Sequence, residues 1–374
     1  MTATPAPDGA PDAAAVVAAA PVDAGGPVVT DAVRGAFDAC LADADEDGAR
    51  ALALELLDRG SGAERVLLEL VAPAQFSVGE RWAANEWSVA QEHAATYVSE
   101  QVVAALAART RARPATGAVG SVVVTCADGE WHALPARILA EVLRLRGFAV
   151  RFLGAHVPAA HLVSYLHQHG PDLVALSCML PVRLPAAHRT VQAARLTGVP
   201  VLAGGAGFGP SGVWARTVGA DLYATGAAEA ADLLSARWPP PLSGHPALAH
   251  LADDEYTRLA RSRGDLLRQL TEGLEARFPA MRHYDERQRE ATVEDLGHLL
   301  DFLTAAVFVD DARVLTAFLT ATAGILAARD VPPAGLDLAV AGLREPLRDF
   351  PRCLGILDAA HRHLADAGHT HPAP

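Results

Sequence analysis

The chain has 374 residues, room for two or three domains that each bury a core. Asp and Glu number 44 against 31 Lys and Arg, a formal net charge of −13 with no clustered basic run, which disfavours a nucleic-acid surface. Cys40, Cys126, Cys178 and Cys353 lie far apart with no CxxC pair, which argues against a disulfide framework or structural zinc and for a reducing, cytoplasmic compartment, and no apolar stretch has bilayer length.

Residues 1–28 are mostly Ala, Pro, Gly, Val and Asp without periodicity and read as a disordered leader. From Asp31 to Arg111 the pattern is helical: Val33, Phe37 and Leu41 recur at helix spacing, as do Val66, Leu67 and Leu70, with Gly60-Ser61-Gly62 as a break. This predicts a four-helix bundle over 29–112. Ser88-Val-Ala-Gln91 has capping-box form, so a helix should start there and carry Glu92 and His93 in its first turns, with Trp82 closing the helix before it. A linker from Pro114 to Gly120 follows. Apolar runs at Val119–Cys126, Ala149–Leu153, Leu173–Ser177, Val199–Ala203 and Leu222–Thr225 then alternate with helix-length segments. Continuous apolarity implies strands buried on both faces, hence a five-stranded parallel, Rossmann-like domain over 117–237. Trp238 to Pro246 forms a proline-stiffened linker, and 247–368 reads as a third, all-helical domain, with Leu266, Leu267, Leu270 and Leu274 on one segment and Leu296, Leu299, Leu300, Leu303 and Val307 on another. The fold class is thus α/β plus all-α.

In open parallel sheets ligands bind beyond the carboxyl ends of the strands, and the loop after the first strand is a usual contributor. His132 lies in that loop, just ahead of Pro135, which suits the first turn of the next helix. Glu130 is placed to take the proton of the far ring nitrogen, fixing the tautomer and raising the imidazole's basicity. Ser177, ending the third strand, and Gly204-Gly205, ending the fourth, leave a space without large side chains that would admit a nucleotide-like tail.

These residues resemble the motif of the cobalamin-binding Rossmann-like domain, Asp-x-His-x-x-Gly with a later Ser-x-Leu/Thr and Gly-Gly. Here they read Glu130-Trp-His132-Ala-Leu-Pro135, Ser177-Cys-Met179 and Gly204-Gly205. Glu replaces Asp, and Pro135 stands where the motif has its last Gly. Trp82, nine intervening residues, then Glu92-His93 is similar to the signature of cobalamin photoreceptors of the MerR-linked type. That resemblance implies a bundle capping adenosylcobalamin, Trp82 packed on the adenosyl group, Glu92 bonded to it, His132 as the lower cobalt ligand and His93 as the ligand after light breaks the cobalt–carbon bond. No winged helix or basic recognition helix accompanies it, so no direct DNA contact is expected.

The order of bundle, cobalamin domain and helical domain resembles the photocobilins, over roughly 30–367, and implies a globin-like C-terminal domain holding biliverdin or a related bilin. His298 and Asp301, three apart on one helix face, would then meet the pyrrole nitrogens, Arg282, Arg287 and Arg289 the propionates, and Tyr284 would stack or donate. Haem on His298 is the other tetrapyrrole reading, and Cys353 reads as an inert buried thiol, so no covalent attachment is expected. The expectation is a light sensor rather than an enzyme, partnered by cobalamin, a bilin, and either a second copy of the chain or a downstream signalling protein, with no membrane contact. The alternative is a corrinoid methyl carrier of a methyltransferase system, which has no use for Trp82, Glu92 and His93.

Overall fold

Thr30 opens the first helix by accepting the Val33 N–H on its hydroxyl, and Asp45 opens the second by accepting that of Gly48. The computed structural model describes residues 28–110, 118–243 and 248–368; residues 1–27 of the expected leader and parts of both linkers, 111–117 and 244–247, lie outside the described residues. The bundle consists of α1 (Asp31–Ala42), α2 (Glu46–Asp58), a third rod made of α3 (Ala63–Val66) and α4 (Ala72–Ala83), and α5 (Val89–Thr110). Between α3 and α4 the chain stays helical through one π turn, Leu67–Val71. Pro73 explains it: its ring crowds the carbonyl four residues back, at Glu69, and it has no N–H to give. The freed Glu69 carbonyl is taken up by Arg34 Nε at 3.2 Å. Phe37, Leu41, Val66, Leu67 and Leu70 are buried, as their spacing predicts.

The sheet comprises β1 (Ser121–Cys126), β2 (Ala149–Gly154), β3 (Leu173–Ser177), β4 (Val201–Gly204) and β5 (Leu222–Ala224), all parallel, in the order β2-β1-β3-β4-β5. The fourth strand starts after Pro200 rather than at Val199, since proline has no N–H for a ladder. The helices are α6 (Leu134–Leu145), α7 (Ala159–His169), α8 (Leu184–Leu196), the short α9 (Val213–Thr217) and α10 (Ala227–Ala236). Side chains alternate across each strand, so the sheet feeds two cores. Val122, Val124 and Cys126 join α6, α10 and the bundle; Val123, Val174, Leu176, Val201 and Ala203 join α7, α8, α9 and the third domain. Arg146 and Glu64, paired through two 2.7 Å contacts, fasten sheet domain to bundle.

The third domain is helical throughout: α11 (Glu255–Arg277), α12 (Glu286–Val309), α13 (Arg313–Ala327), α14 (Ala334–Gly342) and α15 (Pro351–Asp366). Asp285 and Gln288 form a full capping box on α12. The domain docks on the sheet through Trp214, whose indole N–H donates to Asp311 at 2.9 Å. Phe308 meets His188 and Tyr256 edge-on at 5.6 and 5.0 Å. No helix of the described residues is long and apolar enough to cross a membrane.

Candidate functional site

The loop between β1 and α6 is organised by Glu130, a carboxylate only 1 % exposed. One oxygen accepts the His132 backbone N–H at 3.0 Å and faces its ring Nδ1 at 2.5 Å. The other accepts the N–H groups of Met179 and Leu180, at 2.8 and 3.2 Å, from the loop after β3. Burial pushes the Glu130 carboxyl up, but these hydrogen bonds outweigh it and hold it below the usual carboxylate value. His132 is raised above the ordinary histidine value, first by its bond to Glu130, against desolvation, and further by the charges of Glu130 and Glu92, with Arg183 opposing. With Nδ1 engaged by Glu130, the half-exposed ring keeps Nε2 for a ligand. The expected contact between Glu130 and the ring of His132 is present, and Pro135 falls in the first turn of α6.

Ser177, Gly204 and Gly205 come together at the strand ends, lining a cavity of about 300 Å³ with Pro135, Leu139 and Tyr223. Gly205 has φ 109°, and a Cβ there would fall 2.3 Å from the Cys178 carbonyl oxygen, so only glycine keeps this mouth open. Tyr223, Thr225 and Gly226, from the end of β5, also line the cavity and were not singled out from sequence; the rule that ligands gather beyond strand ends would have found them. Three further residues escape a sequence reading. Trp131, 69 % exposed, stacks on His156 from the loop after β2 at 4.9 Å between ring centroids, and Arg183 lies over Gly129 with its buried Nε unpartnered.

On the bundle, the capping box at Ser88 and Gln91 starts α5 as predicted, with Ser88 N–H donating to Gln91 Oε1 at 2.9 Å. Glu92 accepts from Thr96 at 3.0 Å and holds His93 Nδ1 at 2.6 Å, leaving that exposed imidazole's Nε2 outward of the pair. Trp82 lies in the last turn of α4. The charge of Glu92 adds to the rise of His132.

In the third domain, His298 and Asp301 share an open groove of about 760 Å³ between α11 and α12. Both Asp301 oxygens are taken by Arg263, at 2.5 and 2.8 Å, so this carboxylate already has a cation. Arg289 lines the groove; Arg282 and Arg287 are exposed outside its lining, and Tyr284 packs on the domain core. Cys353 is fully buried and desolvation pushes its thiol up, as suits an inert residue.

Comparison with known proteins bears on this geometry. Two family models, each described as a B12 binding domain, match residues 34–107 and 120–233, the bundle and the sheet. The HTH-type transcriptional repressor CarH of Myxococcus xanthus is 36 % identical over 143 residues, 37 % of this chain and 46 % of that protein, less than half its length. The trimethylamine corrinoid protein of Methanosarcina barkeri is 24 % identical over 195 residues, 51 % of this chain and 89 % of that one. The solved structure of the Methanosarcina barkeri monomethylamine corrinoid protein has a TM-score of 0.48 at 21 % identity, covering 54 % of this chain and 95 % of that one.

Fold, site and family models together define a cobalamin-binding protein. The residues fit such a group: a carboxylate-oriented imidazole, a glycine-lined cavity at the strand ends and the unpartnered, buried Nε of Arg183 beside the loop. Among the described residues no three His, Cys, Asp or Glu side chains gather to hold a bare metal ion, and a macrocycle that brings its own equatorial nitrogens asks for only one imidazole.

Proposed function

We propose that the chain is a light sensor that holds adenosylcobalamin between the helical bundle and the Rossmann-like domain. The observation that carries the reading is a pair of carboxylate-held imidazoles, Glu130–His132 on the sheet and Glu92–His93 on the bundle, one in each of the two regions that match a B12 binding domain. Adenosylcobalamin supplies a cobalt–carbon bond that absorbed light breaks. The protein's part would be to hold and orient the group: His132 would offer Nε2 to cobalt, Trp82 and Glu92 would contact the adenosyl group, and His93 would be the imidazole available to cobalt once that group is lost. A ligand exchange of this kind moves the cap only by as much as the two states differ in contacts, which makes the bundle a two-state element. Similarity to CarH, a transcriptional repressor, supports a regulatory role; the cytoplasm is the compartment we propose.

A bilin is assigned to the groove of the third, globin-like domain on the strength of His298 and the groove's size. Glu286, Glu290 and Glu294 line it too, and their charge opposes two propionates, so a titration with biliverdin is the deciding measurement. A corrinoid methyl carrier is the second reading, favoured by the match along 89 % of the trimethylamine corrinoid protein.

The test is a visible spectrum of the protein loaded with adenosylcobalamin, before and after green light. A sensor changes irreversibly on illumination. A carrier instead exchanges methyl groups in darkness with an added methyltransferase system. His93→Ala should leave dark binding within about twofold, as expected for an exposed side chain, and alter the illuminated spectrum; an unchanged light product would remove His93 from the exchange.

A further inference from the structure

Arg329, just beyond α13, reaches out of its own domain. Its Nη1 donates to Ile325 O of α13 at 3.1 Å and to Ala83 O of the bundle at 3.3 Å, while Nη2 donates to Trp82 O at 3.3 Å. The guanidinium carbon lies 5.7 Å from the centroid of the Trp82 ring, within reach of the attraction between a cation and an aromatic face. Asn85, in the left-handed region at φ 61°, returns the contact by donating to Ala328 O at 3.5 Å. The carbonyls that Arg329 takes belong to the last turn of α4, at the negative end of its dipole, and Trp82 O also accepts the Asn85 N–H at 3.1 Å. One planar fork therefore closes the end of α4, the end of α13 and the face of Trp82 at once. Behind it stands Asp295 on α12, whose carboxyl desolvation pushes up against the opposing charges of His298 and Arg329. His298 lines the groove between α11 and α12.

We propose that Arg329 is a positioning residue for the cap tryptophan: through it the third domain sets the angle of the Trp82 indole, and hence how well the cap accepts the upper substituent of cobalamin. This rests on the reading of Trp82 as a cap residue, and it goes beyond that reading by giving the helical domain a defined hold on the cobalamin site. Arg329 itself lies outside the bundle and the sheet, the two regions that match B12 binding domains.

The test uses the full chain labelled with 5-fluorotryptophan and free of cofactor. The ¹⁹F signals of Trp82 and Trp214 are assigned by Trp82→Phe and Trp214→Phe. Trp214 serves as the control, because its bond to Asp311 reports whether the third domain is still docked on the sheet. Arg329→Ala should move the Trp82 signal and leave that of Trp214 in place, and Arg329→Lys, which keeps the cation without the fork, should restore part of the shift. A Trp82 signal that stays put, or one that moves together with Trp214, overturns the proposal; in the second case Arg329 only holds the domains together. In parallel, Arg329→Ala should weaken adenosylcobalamin by about fivefold, the size of one aromatic contact, and leave hydroxocobalamin, which has no adenosyl group, unchanged. Equal effects on both ligands, or none on either, also overturn it. Should the unaltered protein bind neither cobalamin, the light-sensor reading fails while the ¹⁹F signals still decide the role of Arg329.

Discussion

Two oxygens of Glu130 serve four N–H groups, drawn from His132 twice and from Met179 and Leu180 once each. Glu130→Gln turns one oxygen into a donor and removes the charge, so two of those groups lose their acceptor. The expected cost is about 2–3 kcal/mol, the range for hydrogen bonds to a buried charged group, read as a lower urea midpoint. The pH dependence follows from opposite shifts. Glu130 is held below its ordinary value of 4.5, so its contribution is present above that value and fades as pH falls through the lower folded one. His132 is raised above 6.5, so its contribution is full below that value and fades as pH rises through the higher folded one. The stability gap between wild type and Glu130→Gln should therefore be widest between about 4.5 and 6.5 and narrow on either side; a gap that keeps its size well below 4.5 and well above 6.5 would refute the pairing as its source. Both residues were legible in the sequence because they lie two apart in one loop. Trp131, His156 and Arg183 were not, because their meeting depends on three loops that only the folded sheet brings together.

At the scale of elements, the cap residues depend on where α5 begins. Ser88 and Gln91 bond reciprocally at that start, and Glu92 follows in the first turn. Ser88→Ala should cost about 1 kcal/mol, the usual loss for an N-cap, and loosen Glu92 and His93, seen as faster amide exchange in the first turn of α5; protection equal to wild type there would count against the cap. The five strands could be read from the sequence to within two residues; β3 is buried at every position, as continuous apolarity predicts, whereas the edge strand β2 is not covered on both faces, with Ala149 and Arg151 exposed. The π turn ahead of Pro73 was missed: helical spacing on either side continues through it, and only the freed Glu69 carbonyl and its partner Arg34 reveal it. For the third domain the helices were legible, but the ion pair of Asp301 with Arg263 was not, since it joins residues on separate helices 38 positions apart.

The molecule as a whole is a three-body stack with the sheet in the middle. One core runs unbroken from Val123, Val174 and Leu176 through α8 into Leu299, Leu303 and Phe308, so sheet and third domain should unfold together. Phe308→Ala should cost about 3–5 kcal/mol, as for other large-to-small changes in a core, and lower both transitions equally when Trp214 fluorescence is followed beside far-ultraviolet circular dichroism. Two separated transitions would mean that the shared core does not couple them. Alternation along β1 carries a consequence for descent and engineering alike. Because Val124 looks to the cap and Val123 to the far side, neighbouring letters of the same strand answer to different masters. Substitution at Val123 can thus refit the face toward the third domain while Val122 and Val124 keep the face toward the bundle.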